Sequence, residues 1–165
     1  MAFIVSSDSF EDGDYLAMTH VGSADHGFGC EGGNTSPHLK WSGAPAGTRS
    51  FAVTCYDPDA PTGSGFWHWL VVNIPPDVSE LPLGAGNAGG AMPQGALQTR
   101  TDYGFAGYGG PCPPQGDHPH RYLFTVFAVG EDSLPVKADT PAAQIGFNLN
   151  FKTLAKASIM GLFKR

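Results

Sequence analysis

Arg121-Tyr122-Leu123-Phe124-Thr125-Val126-Phe127-Ala128-Val129 is the stretch that decides the fold. It is built from aromatic and β-branched side chains with no glycine or proline, a composition that fits a pleated, half-buried surface. Two segments upstream read the same way. In Ser50–Tyr56, Phe51, Val53 and Cys55 fall on one face and Ala52, Thr54 and Tyr56 on the other, the period of two that marks a strand. Phe66–Ile74 is almost continuously apolar, which predicts a strand buried on both faces. Asp57-Pro58-Asp59-Ala60-Pro61 ends the first of these and Pro75-Pro76 the second, because proline lacks the N–H a ladder needs. A short strand is predicted near Ala96–Arg100, and Ser158–Phe163 reads as a last short one.

Composition agrees with a mostly β chain. The 165 residues include 23 glycines and 14 prolines, too many breakers for a coiled coil or a simple bundle. Hydrophobic residues make up 41% and aromatics 12%, ample for a core, which excludes disorder. The C-terminal part changes character. Thr140 reads as a helix N-cap with Pro141 at the first helical position, and Phe147, Phe151, Leu154 and Ala155 share a helical face. Gly146 weakens the middle, so two helical pieces are allowed. Strands followed by a helix predict an antiparallel β-sandwich with an appended C-terminal α-helix, one domain over residues 1–165.

The formal net charge of -6 argues against nucleic acid as a partner, which needs a basic stripe. No run of about 18 apolar residues could span a membrane, and Met1–Phe10 has no basic head or long apolar stretch, so no secretory signal is read. The expected location is the cytoplasm. Cys30, Cys55 and Cys112 form no CxxC pair and no even framework, so reduced thiols are expected.

Two segments hold polar residues that packing does not explain. In the first, Asp57 and Asp59 flank Pro58, with Pro61 behind them, a turn that holds both carboxylates at a strand end and in which one X-Pro bond could be cis. His68 lies inside the apolar run and must satisfy two ring nitrogens away from water. Either a carboxylate serves it and favours imidazolium, or it is a core histidine bonded to a backbone carbonyl. In the second, Tyr108-Gly109-Gly110-Pro111-Cys112-Pro113-Pro114 leads through Gly116 into His118-Pro119-His120-Arg121-Tyr122. Its prolines leave the N–H groups of Gly109, Gly110 and Cys112 as donors for an oxyanion. The alternative is a structural turn whose prolines protect a sheet edge. No metal is expected: His118 and His120 have ligand spacing, but Pro119 disturbs the strand and no third ligand is specifically spaced. Gly63-Ser64-Gly65 is no nucleophile elbow, Cys112 reads as a space-filler despite the nearby His120, and no phosphate loop ends in Gly-Lys-Ser/Thr. No cofactor is implied.

Taken together, Asp57-Pro58-Asp59-Ala60-Pro61 with His68-Trp69-Leu70-Val71-Val72-Asn73, and Gly110-x-Cys112-Pro113-Pro114-x-Gly116 with His120-Arg121-Tyr122, resemble the two signatures of the phosphatidylethanolamine-binding protein (PEBP) family. Cys30-x-Gly32-x-Asn34-x-Ser36-Pro37, Trp41-Ser42-Gly43, Gly146-Phe147-Asn148-Leu149 and Leu154-Ala155-x-Ala157 are similar to its bacterial, Raf-kinase-inhibitor-like branch. The resemblance covers roughly residues 5–163. It implies a large and a small antiparallel sheet packed as a sandwich, a C-terminal helix near the pocket, and a small pocket for phosphate-like anions. The family's pocket positions map onto Asp57, Asp59, Pro61, His68, Gly110, Cys112, Pro113, His120 and Tyr122. Two departures bear on animal-type ligand preference and kinase partners. The segment between Pro61 and His68 is shorter, with Phe66 or Trp67 replacing lost pocket aromatics, and Cys112 stands where animal members have glycine.

The resulting expectation is that His120 and the N–H groups near Gly110 and Cys112 donate to an anion, while Asp57 holds His68 or His120 in the donating form. The function expected is non-enzymatic binding of phosphate-like ligands, with a regulatory or inhibitory role towards a kinase or protease partner. The alternative is a hydrolase using the Asp/His cluster as general acid–base on a phosphoryl or acyl substrate, and a third reading is an interaction protein with a vestigial pocket. A homodimer is plausible from the Trp and Phe content.

Overall fold

The computed structural model describes residues 1–165. The chain runs through β1 (Ile4–Ser6), β2 (Leu39–Ser42), β3 (Ser50–Asp57), β4 (Phe66–Ile74), β5 (Glu80–Leu81), β6 (Leu97–Gln98), β7 (His120–Val129), α1 (Ala142–Lys152) and β8 (Thr153–Phe163). Two antiparallel sheets result, a small one in the order β1-β2-β5 and a large one in the order β6-β4-β3-β7-β8. This is the mostly β sandwich with a helix near the C-terminus that the strand pattern predicts.

The alternation of β3 explains why it lies at the centre of the large sheet. Phe51, Val53 and Cys55 face the small sheet and join Leu39, Trp41 and Leu81 in the main core. Ala52, on the opposite face, packs with Leu70, Val72 and the helix residues Ala142, Ile145 and Leu149 in a second core. β4 reads as continuously apolar for the same reason: Trp69 and Val71 serve the first core, Leu70 and Val72 the second. Its pairing with β3 shifts register twice. At one shift Asn73 takes a left-handed conformation (φ 59°) that asparagine tolerates, and its Oδ1 accepts the Leu134 N–H at 2.8 Å.

The C-terminal region departs from the expectation. The helix is one continuous piece and begins at Ala142, with Pro141 as its cap residue; the Thr140 hydroxyl accepts the Lys137 N–H instead. Its buried face is Ala142, Ile145 and Leu149, whereas Phe147 and Phe151 are exposed. Leu154 and Ala155 belong to β8, which starts at Thr153 and pairs with β7 along its length rather than only from Ser158. No residue of α1 lines the pocket described below, because the helix covers the opposite face of the large sheet.

The cysteines also differ from the expectation. Cys30 and Cys112 form a disulfide, and only Cys55, fully buried in the main core, is free. An odd cysteine count with no short spacing hides a bond between residues 82 positions apart. All peptide bonds are trans, those before Pro58 and Pro61 included. No helix is long and apolar enough to cross a membrane. Reduction, or the Cys30→Ser/Cys112→Ser double variant, is expected to lower the unfolding free energy by about 2–5 kcal/mol by freeing this long loop in the unfolded chain. Urea unfolding with and without dithiothreitol measures the difference, and coincident midpoints would refute it.

Candidate functional site

β3 ends at Asp57 and β7 begins at His120, so strand pairing alone brings the two predicted motifs to one end of the large sheet. His120 and Tyr122, two residues apart, share a face. The second register shift between β3 and β4 falls between Cys55 and Tyr56, opposite His68. A bulge there re-aims one side chain. It lets His68 join the pocket while its neighbour Trp69 enters the main core.

The two aspartates divide their work. Asp57 is buried, and its Oδ2 lies 2.7 Å from His120 Nδ1. Its Oδ1 accepts the Asp59 N–H at 2.8 Å, which closes the turn. Asp59 faces outward to Arg121, accepting the backbone N–H at 2.8 Å and the guanidinium at 2.9 and 3.0 Å. Those bonds hold its carboxyl down to about 2.

The two histidines are in opposite states. Burial pushes the His68 pKa down to about 4, against the pull of the Gly109 carbonyl and the Asp57 charge. His68 Nδ1 donates to the Gly109 carbonyl at 2.7 Å. The neutral ring therefore carries its lone pair on Nε2. The backbone-carbonyl reading of this residue is the correct one, and the carboxylate belongs to His120. Burial also works against charge on His120, but the hydrogen bonds to Asp57 and Asp117 outweigh it and raise its pKa. Asp117 Oδ2 lies 2.8 Å from His120 Nε2, so both ring nitrogens donate to carboxylates.

Asp57, His68 and His120 form the floor of an open cavity of about 170 Å³. That is smaller than the ~300–1,000 Å³ of drug-sized pockets and suits a small ligand. Asp57, Pro61, His68, Cys112, Pro113, His120 and Tyr122 line it; Asp59 and Gly110 do not. Phe28, Phe66 and Tyr103 add an apolar wall, with Tyr103 4.8 Å from Phe66 and 5.7 Å from Phe28 between ring centroids. Phe66 is the aromatic that enters the pocket, while Trp67 stacks on Tyr56 outside it. The Tyr122 hydroxyl is buried near the Asp57 carboxylate but makes no well-formed hydrogen bond.

The glycine-rich loops stand behind this wall. The Gly110 N–H donates to Asn34 Oδ1 at 2.7 Å, and Asn34 Nδ2 to the Tyr108 carbonyl at 3.1 Å. The Gly109 N–H donates to the His68 carbonyl. Of the three N–H groups expected to face an anion, two are thus engaged in holding the wall, and only that of Cys112 makes no hydrogen bond within the protein. Gly110 is required by close approach: a Cβ there would stand 2.3 Å from the His20 carbonyl. The Cys30–Cys112 bond staples the same loops, and Arg165 donates from Nε to the Pro113 carbonyl at 2.7 Å. Sequence reasoning passed over Asn34 as part of a loop motif, and Asp117, Phe28 and Tyr103 altogether; no spacing signal marks them.

The histidine states give opposite pH dependences. Unfolded His68 takes a proton near pH 6.5, the folded ring only near 4. Between those values the unfolded state binds more protons, so stability falls as pH falls. His120, whose folded value is raised, contributes stability that is full in acid and is lost as pH rises through that value. The advantage of wild type over His68→Gln is therefore expected to shrink between pH 6.5 and 4, by on the order of 3 kcal/mol. Urea unfolding across that range checks it, and a constant difference between the two proteins would contradict it.

A family model described as phosphatidylethanolamine-binding protein matches residues 6–164. The chain is 53% identical to the UPF0098 protein YbcL of Escherichia coli over 164 residues, covering 99% of this chain and 88% of that protein. It is likewise 53% identical to the UPF0098 protein YbhB of the same organism over 157 residues, covering 95% and 97%. The crystal structure of E. coli YbcL, described as a new member of the mammalian PEBP family, superposes with a TM-score of 0.95 at 52% identity, covering 100% of this chain and 99% of that one. A putative PEBP homologue from Chlamydia trachomatis superposes with a TM-score of 0.81 at 28% identity, covering 99% and 98%.

Proposed function

The chain belongs to the phosphatidylethanolamine-binding protein family, and from that premise we propose that its cavity binds a small phosphate-like anion, such as the phosphomonoester headgroup of a phosphorylated small molecule, lipid or residue. The observation that carries this reading is the pairing, on one buried floor, of a His120 ring whose protonated form Asp57 favours with a Tyr122 hydroxyl that makes no well-formed hydrogen bond. A buried hydroxyl left unbonded costs free energy that a bound oxygen returns. The neutral His68 ring offers a lone pair on Nε2, which suits a phosphomonoester monoanion still carrying one P–OH proton. The apolar wall of Phe28, Phe66 and Tyr103 accommodates the group that bears the phosphate.

A regulatory role towards a kinase or protease partner is the output this reading takes over from the family. The hydrolase alternative has no free threonine or cysteine nucleophile in the cavity: the Thr62 hydroxyl donates to the Gly65 carbonyl and Cys112 is in the disulfide. The Cys30–Cys112 disulfide weighs against the expected cytoplasmic location, since such bonds persist mainly in oxidising compartments.

Tyr122→Phe is the cleanest probe, because it deletes a hydroxyl that makes no well-formed hydrogen bond in the free protein. It should leave the melting temperature unchanged and weaken binding of phosphoethanolamine or O-phosphotyrosine about tenfold by calorimetry. Equal binding by wild type, Tyr122→Phe and His120→Asn, or no binding to wild type at all, would overturn the proposal.

A further inference from the structure

Resting on the anion-binding reading above, we propose that Asp117 is an internal competitor for the anion, a residue that a ligand must displace from His120 and that sets the threshold for binding. An imidazolium has two N–H donors, and here both are taken: Nδ1 by Asp57 at 2.7 Å and Nε2 by Asp117 at 2.8 Å. A ligand oxygen can gain His120 only by replacing one of the two carboxylates.

They are unequal. Asp57 sits at the end of a central strand with its side chain 3% exposed, and its other oxygen closes the Asp59 turn. Losing it would leave a buried charge unpaired. The Asp117 side chain is 34% exposed, and its only side-chain bond is the one to His120. It lies in the surface turn Pro114–Asp117, closed by a long 3.3 Å backbone bond and containing Gly116 at φ 87°. Asp117 is not itself part of the cavity lining, but the turn that carries it begins at Pro114, which is. Rotation of this one side chain into solvent uncovers Nε2 beside the cavity.

The exchange has a consequence for ligand class. A ligand carboxylate that replaces Asp117 substitutes one carboxylate–imidazolium bond for another and gains little. A phosphate group brings further oxygens, which reach donors that Asp117 leaves unused, the Tyr122 hydroxyl first among them. Asp117 thereby sets one threshold for every anion, which a phosphate group exceeds by its further contacts and a carboxylate of the same size barely meets. The charged and titratable groups that face His120 are Asp57 from β3, Asp117 and His118 from the preceding turn, and, across the floor, the neutral His68.

The test is calorimetric titration of inorganic phosphate and of acetate into wild type, Asp117→Asn and Asp117→Ser. Serine is too short to reach Nε2, and asparagine keeps a neutral acceptor, so phosphate should bind about tenfold more tightly to the serine variant and by a smaller factor to the asparagine variant. Acetate should gain by the same factor, so that the ratio of the two affinities is unchanged while both rise. In wild type, saturating phosphate should also shift the Asp117 carboxyl carbon resonance, a change a merely structural aspartate would not show. If Asp117→Ser binds phosphate no better than wild type, or the resonance stays put, while Tyr122→Phe still weakens binding, the competitor role is wrong and the pocket reading survives. If neither wild type nor either variant binds phosphate, both are wrong.

Discussion

The Asp57–His120 contact is the constraint from which the pocket follows. It joins the last residue of β3 to the first of β7, the two neighbouring strands at the middle of the large sheet, in a place neither side chain shares with water. Removing one member of such a buried pair typically costs about 3–5 kcal/mol, because the other charge is left uncompensated. The spacing Asp57-Pro58-Asp59 then reads directly onto His120-Arg121: the inner carboxylate takes the inner cation and the outer carboxylate the outer one. The exposed Asp59–Arg121 pair contributes less to stability. Its value lies in pinning the turn that presents Asp57.

Behind the floor, backbone packs directly on backbone. The 18–22, 32–35 and 108–111 segments lie close enough for Gly33, Asn34 and Thr35 N–H groups to donate to Met18, Val21 and Thr19 carbonyls. A Cβ on Gly32 would fall 2.3 Å from the Val21 carbonyl, so no side chain fits at that position. Part of the glycine that composition registers only as loop material therefore backs the wall of the site.

The central strands of the large sheet were legible because a period of two and a proline-bounded turn are local signals, whereas the pairing of the two motifs was legible only from their resemblance to the family's two signatures. The helix boundary was not. β8 follows α1 with no glycine or proline between them, and Leu154 and Ala155 continue the helical spacing of Phe147 and Phe151 by coincidence. The partner of His68 was unreadable as well, since it depends on a bulge that sequence does not announce. Asp117 and the Cys30–Cys112 bond belong to the same class: both are contacts made by loops whose course is set by tertiary packing, and neither carries a spacing rule.

The disulfide also divides the site topologically. It closes the segment from Cys30 to Cys112 into a covalent ring that contains Asp57, His68, Phe66 and Tyr103. His120 and Tyr122 lie outside that ring, on the strand that follows it. Half of the floor thus lies inside the ring closed at Cys112, and the other half meets it through the β3–β7 ladder, the Asp57–His120 bond and the Asp59–Arg121 pair. Opening of that ladder would dismantle the floor while leaving the ring and its rim joined, so the chemistry of the pocket depends on a non-covalent seam inside a covalently stapled molecule.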